Sequence, residues 1–88
     1  MKVAVYERPG CGPCVATKRA LTNARIPFDS IDTSKDQEAR DYLVYRGFTQ
    51  SPVVIAEYGG QEHAWTGHRM MAITALIAHR DRSNKENK

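Results

Sequence analysis

The stretch Tyr6-Glu7-Arg8-Pro9-Gly10-Cys11-Gly12-Pro13-Cys14 decides how the rest of the chain is read. An apolar run, Val3-Ala4-Val5-Tyr6, stops at a Pro-Gly pair, and two thiols follow at a Cys-x-x-Cys spacing. They are the only two cysteines among the 88 residues. Two thiols separated by two residues at a helix start close a small disulfide ring with little backbone movement, which is what a reversible two-electron carrier requires. After a strand, at the opening of a helix and inside a βαβ pattern, this spacing is read as a redox site.

Outward from that stretch the pattern alternates. Lys2 to Tyr6 fits a short buried strand, because the Pro-Gly pair halts it within a few residues. From Pro13 or Cys14 to about Arg25, Ala16, Ala20, Leu21 and Ala24 recur at three- and four-residue steps, with Lys18, Arg19 and Asn23 on the other face, as in an amphipathic helix. Pro13 falls in the first turn, where its missing N–H has no intrahelical partner to lose. Ile26-Pro27 ends this helix, and Phe28 to Asp32 reads as a second strand whose leading proline suggests a sheet edge. Ser34-Lys35-Asp36-Gln37 has the form of a capping box, with Ser34 as N-cap and Gln37 reaching back. The helix it opens runs to about Arg46, buries Ala39, Tyr42, Leu43 and the Arg46 stem, and stops at Gly47. Val53 to Glu57 is the strongest strand by β-branched content. Tyr58-Gly59-Gly60-Gln61 is a hairpin turn, and Glu62 to Trp65 is the returning strand. A last helix is expected from about Arg69 to Ala78, with Met70, Ile73, Leu76 and Ile77 inward, followed by a polar, flexible tail over residues 79–88.

The order β-α-β-α-β-β-α, with a right-handed crossover that makes the first two strands parallel, predicts one α/β domain over residues 1–78. Its four-stranded mixed sheet carries helices on both faces. The net charge of +3 does not point to a specific nucleic-acid partner. The last ten residues hold Arg80, Arg82, Lys85 and Lys88 against Asp81 and Glu86, so two of the three net charges lie there with no aromatic or arginine-rich face beside them. The apolar run at the N-terminus is far shorter than a signal-peptide core, and nothing later approaches the roughly 20 apolar residues of a membrane span. A monomer in the cytoplasm, away from membranes, is expected. Thiols are kept reduced there, so a close cysteine pair is read as catalytic or metal-binding rather than structural.

Cys11 precedes the helix and is the expected nucleophile, because the positive end of the helix and its free N–H groups favour the thiolate. Cys14, one turn on and more shielded, is the expected resolving thiol, which attacks the mixed disulfide and releases the reduced substrate. Arg8 adds a positive charge nearby or is a solvated surface arginine. The charges of Lys18 and Arg19 are expected to be screened from the sulfurs. Val3-Ala4-Val5 carries no acidic residue, so this strand offers no buried carboxylate to take the Cys14 proton. The competing chemistry is zinc, with Cys11, Cys14, His63 and His68 as ligands. The segment between the two halves, residues 15–62, is far longer than the roughly 12–15 residues of a zinc finger, so no metal site is expected.

Four stretches together carry a family likeness: Cys11-Gly12-Pro13-Cys14 with Ala16 to Leu21; Asp36 to Tyr42; Gly47-Phe48-Thr49-Gln50-Ser51-Pro52-Val53-Val54; and Trp65-Thr66-Gly67-His68-Arg69. From Lys2 to about Ala78 the chain resembles the NrdH-type redoxins, small glutaredoxin-like proteins that behave functionally as thioredoxins and supply electrons to class Ib ribonucleotide reductase. The resemblance implies a thioredoxin-like fold of the glutaredoxin type and a cis Ser51-Pro52 bond beside the thiols. It also implies that the Ser51 backbone is open to strand addition by a substrate segment. The same resemblance implies a thiol-disulfide oxidoreductase without a bound cofactor, working through a reversible Cys11–Cys14 disulfide. Its electrons would come from NADPH through thioredoxin reductase, and its recipient would be the ribonucleotide reductase large subunit. Gly12 and Pro13 with Arg8 and Pro52 support the site; Gln50, Ser51, Trp65, Thr66, Gly67 and His68 are the expected partner-binding residues.

Two departures stand out. Gly12-Pro13 is the thioredoxin dipeptide, suggesting a potential near roughly −270 mV. Thr66, His68 and Met70 replace three residues of the motif Trp-Ser-Gly-Phe-Arg-Pro, and a histidine at 68 introduces pH sensitivity at the docking corner. Glutathione-using glutaredoxins carry Gly-Gly and an acidic residue at the start of the last helix. Trp65-Thr66-Gly67-His68 stands there instead, so weak glutathione binding is expected. Trp65 is assigned both a partner contact and a core cap, and Met70 and Met71 are assigned to helix packing.

Overall fold

A computed structural model describes residues 1–86 of the chain. The elements follow the expected order: β1 (Lys2–Glu7), α1 (Gly12–Asn23), β2 (Asp29–Asp32), α2 (Gln37–Tyr45), β3 (Val53–Tyr58), β4 (Gln61–Thr66) and α3 (Met70–Glu86). The strands form one mixed sheet in the order β2-β1-β3-β4. β2 runs parallel to β1 at the edge, and β3 and β4 are antiparallel neighbours on the other side. The fold is thioredoxin-like.

Side chains alternate across β1, so Val3 and Val5 point to one face and Ala4 and Tyr6 to the other. On the first face Leu21 of α1 and Ile73 and Leu76 of α3 pack with Val3, Val5, Val54, Ala56 and Trp65. On the second face Leu43 of α2 packs with Val53 and Ile55, flanked by Tyr6 and Phe48. The chain therefore has helices on both sheet faces. At the C-terminal end of β1 it turns directly into α1, which places Cys11 and Cys14 at one end of the sheet and the Gly59-Gly60 turn at the other.

Four local expectations are corrected. The N-cap of α2 is Asp36, whose carboxylate accepts the Ala39 N–H at 3.0 Å. Ser34 instead donates both its N–H and its hydroxyl to Asp32 Oδ1, at 2.9 and 2.6 Å, and Gln37 reaches forward to Asp41. A carboxylate two residues further on caps the same helix, because one suitable oxygen before the first free N–H groups is enough. Of the expected α2 stripe only Leu43 is buried. Tyr42 is 38% exposed, and the Arg46 guanidinium lies over the Tyr42 and Phe48 rings and pairs with Glu62 of β4 at 2.6 Å.

On α3, Ile73 and Leu76 are inward as expected, but Met70 is half exposed and Met71 is 90% exposed, so neither is core packing. The same helix runs past the expected stop at Ala78 to Glu86. No glycine or proline interrupts residues 79–86, and the start of this stretch is tied down. His79 packs against the Tyr58 ring at 4.7 Å, and Arg80 donates to the Ala24 carbonyl at the end of α1. Only residues 87 and 88 of the expected tail lie outside the described residues.

Candidate active site

Cys11 is the N-cap of α1, in extended backbone conformation, and its Sγ accepts the Cys14 N–H at 3.1 Å. A sulfur in this position takes the place of the usual serine or aspartate oxygen, so the helix end binds it directly. Pro13 falls in the first turn, where it forfeits no backbone bond. The two cysteines are joined as a disulfide with Cα atoms 5.2 Å apart. Their exposure differs sharply. Cys11 is half-buried, whereas Cys14 is 1% exposed on the core-facing side of the helix. Thr17, one turn further, is fully buried on the same side. The spacing 14, 17, 21, 24 carries that face; the shielding of Cys14 was expected, whereas the alanine-based reading missed Thr17 because a polar residue is not a typical core residue.

The statement that β1 offers no buried carboxylate holds for Val3-Ala4-Val5 but not for the next residue of that row. Glu7 shares the helix-facing parity of Val3 and Val5, and its side chain is 16% exposed. Lys18 Nζ meets its carboxylate at 2.8 Å, and the Ser30 hydroxyl donates to it as well. The Glu7 carbonyl accepts both the N–H and the hydroxyl of Thr33, at 2.8 and 2.9 Å. Lys18 is thus a paired, two-thirds-buried cation rather than a screened surface charge.

Burial pushes the Glu7 carboxyl up, but the Lys18 and Ser30 hydrogen bonds and the Lys18 charge outweigh it and hold it below its ordinary value of 4.5. A depressed carboxyl stabilises the fold above its unfolded-state value and loses that contribution as pH falls through the folded one. The stability lost in Glu7→Gln, measured by urea unfolding, is therefore expected to be constant near neutrality. It should shrink below pH 4.5 and disappear at lower pH; a loss independent of pH down to strong acid would contradict this.

The loop before β3 lies at the end of the sheet that carries the thiols, since Val53 pairs with Tyr6. Ser51-Pro52 is cis, as the resemblance implied, and the Pro52 carbonyl accepts the Gly67 N–H at 2.9 Å. This bond joins the loop to the turn between β4 and α3. Gly67 has a φ of 81°, a left-handed conformation suited to glycine. From the same turn His68 Nδ1 lies 3.0 Å from the buried Thr17 hydroxyl. The sites at 52, 67 and 68 therefore converge on α1. Trp65 is buried in the core, 9% exposed, and its Nε1 has no hydrogen-bond partner among the described residues. Its burial fits the expected core role, and its edge borders an open groove beside the loop.

Two open grooves flank the loop. One, of ≈ 530 Å³, is lined by Arg8, Arg40, Leu43, Phe48, Gln50 and Ser51 among others; Gln50 also borders the second, with Trp65, Thr66 and Arg69. Sequence reasoning named Arg8, Gln50 and Ser51 but missed the Leu43 and Phe48 floor, which only the packing of α2 against β3 creates. His63, the other histidine considered as a zinc ligand, stacks on Tyr58 at 4.0 Å. Among the described residues no group of three or more His, Cys, Asp or Glu is arranged to hold a metal ion. No described helix is long and apolar enough to cross a membrane.

Comparison with known proteins agrees with this geometry. Residues 3–62 match the family model described as Glutaredoxin. The chain is 38% identical over 76 residues to the glutaredoxin-like protein NrdH of Escherichia coli K12, covering 86% of this chain and 89% of that protein. It is 51% identical over 41 residues to the gene 56 protein of Mycobacterium phage L5, 47% of this chain and 40% of that one. The solved structure of the Escherichia coli NrdH-redoxin, described as glutaredoxin-like with a thioredoxin-like activity profile, superposes with a TM-score of 0.79 over 86% of this chain and 95% of that one. With its paired cysteines at the head of α1, the chain belongs to the glutaredoxin family of thiol-disulfide oxidoreductases, among the NrdH-type redoxins.

Proposed function

We propose that the protein carries electrons from thioredoxin reductase, and so indirectly from NADPH, to a protein disulfide, that of a class Ib ribonucleotide reductase large subunit first among candidates. It would act as a monomer in the cytoplasm, or in the host cytoplasm where a phage encodes it. The observation that carries the reading is the unequal placement of the two sulfurs. Cys11 sits at the surface and receives an N–H from the helix end, so its thiolate is the one that attacks. Cys14 is enclosed and lies against the Cys11 sulfur itself, with which it forms the disulfide. The first attack forms a Cys11–substrate disulfide and expels one substrate thiolate. The Cys14 thiol then loses its proton and attacks Cys11, and the second substrate thiolate leaves and is protonated.

Gln50, Ser51, Thr66 and Gly67 are the proposed contacts for an extended partner segment laid along the loop, with Arg8, Gly12, Pro13 and Pro52 shaping the approach. The choice of reductant is supported by what stands where glutaredoxins hold glutathione. The first turn of α3 has no acidic residue, and Gly59-Gly60 forms the β3–β4 turn at the opposite end of the sheet. Without a carboxylate there, the glutathione amino group lacks its partner. A lost hydrogen bond to a charged group costs roughly 1.5–3 kcal/mol. Reduction of a model disulfide is therefore expected to run at least about tenfold faster with NADPH and thioredoxin reductase than with glutathione and glutathione reductase. Equal rates, or a preference for glutathione, would overturn the assignment of the reductant.

A further inference from the structure

We propose that Glu7 is a positioning residue for the redox reaction: by neutralising Lys18 one helical turn from Cys14, it keeps the resolving sulfur a protonated thiol while Cys11 ionises. This rests on the order of attack proposed above. Residues four apart on a helix lie one over the other, with Cβ atoms about 5–6 Å apart. Lys18 is therefore the cation of α1 stacked closest to Cys14, while Arg19 lies on the exposed side of the helix. From β1, Glu7 is the charged group on the row facing α1, and the Lys18 and Ser30 bonds hold its carboxylate in place. From the end of β2, Asp32 faces the same pair but is engaged by Ser34. From the β4–α3 turn, His68 is held against Thr17. Arg8 follows the last residue of β1 and is exposed.

The pair carries no net charge, so the acidity of Cys14 is left to its apolar surroundings, which disfavour a thiolate. Cys11 has the helix end and the Cys14 N–H instead. One strand and one helix thereby give two thiols of the same motif different acidities. The difference suits the order of steps, because Cys11 ionises and attacks first while Cys14 keeps its proton until the mixed disulfide forms. Electron and proton accounting is unchanged from the two-step exchange above; Glu7 takes no proton and alters only the fraction of Cys14 present as thiolate.

The test uses the full chain carrying Cys11→Ser, which leaves Cys14 as the sole thiol and keeps a good N-cap at position 11. Its thiolate absorbance is titrated against pH alone and with Glu7→Gln, Lys18→Gln or both. A unit charge one helical turn away, at a dielectric between protein interior and water, corresponds to about one pH unit. Glu7→Gln is expected to lower the Cys14 midpoint by about that much, Lys18→Gln to raise it similarly, and the double variant to return close to the parent. In the two-cysteine protein, the Glu7→Gln shift raises the thiolate fraction about tenfold and the resolving step about threefold, since nucleophilicity falls as acidity rises.

Far-UV circular dichroism at the titration midpoint checks that each variant is folded. If Glu7→Gln does not fold, the Lys18→Gln shift and its reversal in the double variant decide the matter. Midpoints unmoved by either substitution, or moved in the same direction by both, would overturn the proposal. The titration needs no reductase, so its result is independent of the proposed electron donor.

Discussion

Replacing Cys11 by serine is expected to lower reductase-driven disulfide reduction by about four orders of magnitude or more, the scale seen when a covalent nucleophile is removed. Stability should change little, because serine is itself a favoured N-cap and its oxygen can accept the Cys14 N–H that Cys11 Sγ accepts at 3.1 Å. Cys14→Ser fails differently. Its half-buried Cys11 still attacks, but nothing resolves the product, so a mixed disulfide with the substrate should accumulate and be visible as an intact-mass adduct. The unequal burial of the two sulfurs, half-buried against 1% exposed, is what assigns these outcomes. An adduct formed by Cys11→Ser and not by Cys14→Ser would reverse the assignment.

The second large effect lies in the core that holds α1 in place. Leu21 is fully buried where α1 meets β1 and α3, two turns below Cys14 on the same helix face. Leu21→Ala is expected to cost about 2–5 kcal/mol, the range for truncating a buried leucine. A domain of this size has about 4–13 kcal/mol of stability in total, so the variant should unfold at markedly lower urea. Trp65 belongs to the same cluster, and its fluorescence reports the transition. Val44→Ala, at a position 75% exposed on α2, serves as the control and should stay within about 0.5 kcal/mol. A Leu21→Ala cost near that of the control would mean that α1 is not anchored through this residue.

Most of the fold was legible because its signals are local. The Pro-Gly stop after β1, the three- and four-residue steps of α1, the β-branched run of β3 and the Gly47 stop each act within a few residues of chain. Gly47 takes the left-handed position after α2, and Phe48 N–H returns to the Leu43 carbonyl, the closure that such a stop predicts. The misreadings sit where two local solutions compete or where a distant segment decides. Ser34 and Asp36 both satisfy the pattern of an N-cap, and only backbone geometry chooses between them. The end of α3 was placed too early because a polar stretch carries no apolar period, while His79 and Arg80 are held by Tyr58 and Ala24, far away in sequence.

The spacing Cys11-x-x-Cys14 between a strand and a helix pointed by itself to a redox or metal site; the three further stretches that resemble the NrdH-type redoxins made it a dithiol redox site, and the place of Cys11 before the helix is the ground for expecting it to lead. Helix position and exposure follow from chain order, and a helix N-terminus favours a thiolate wherever it occurs. Tertiary structure alone decided the surroundings of those thiols. Thr17 and His68, 51 residues apart, meet at 3.0 Å; Trp65 turns into the core; and the Glu7 carboxylate of β1 closes on Lys18 of α1. Charge–charge energies depend on separation in space and on burial, neither of which is written into the spacing of residues along a chain.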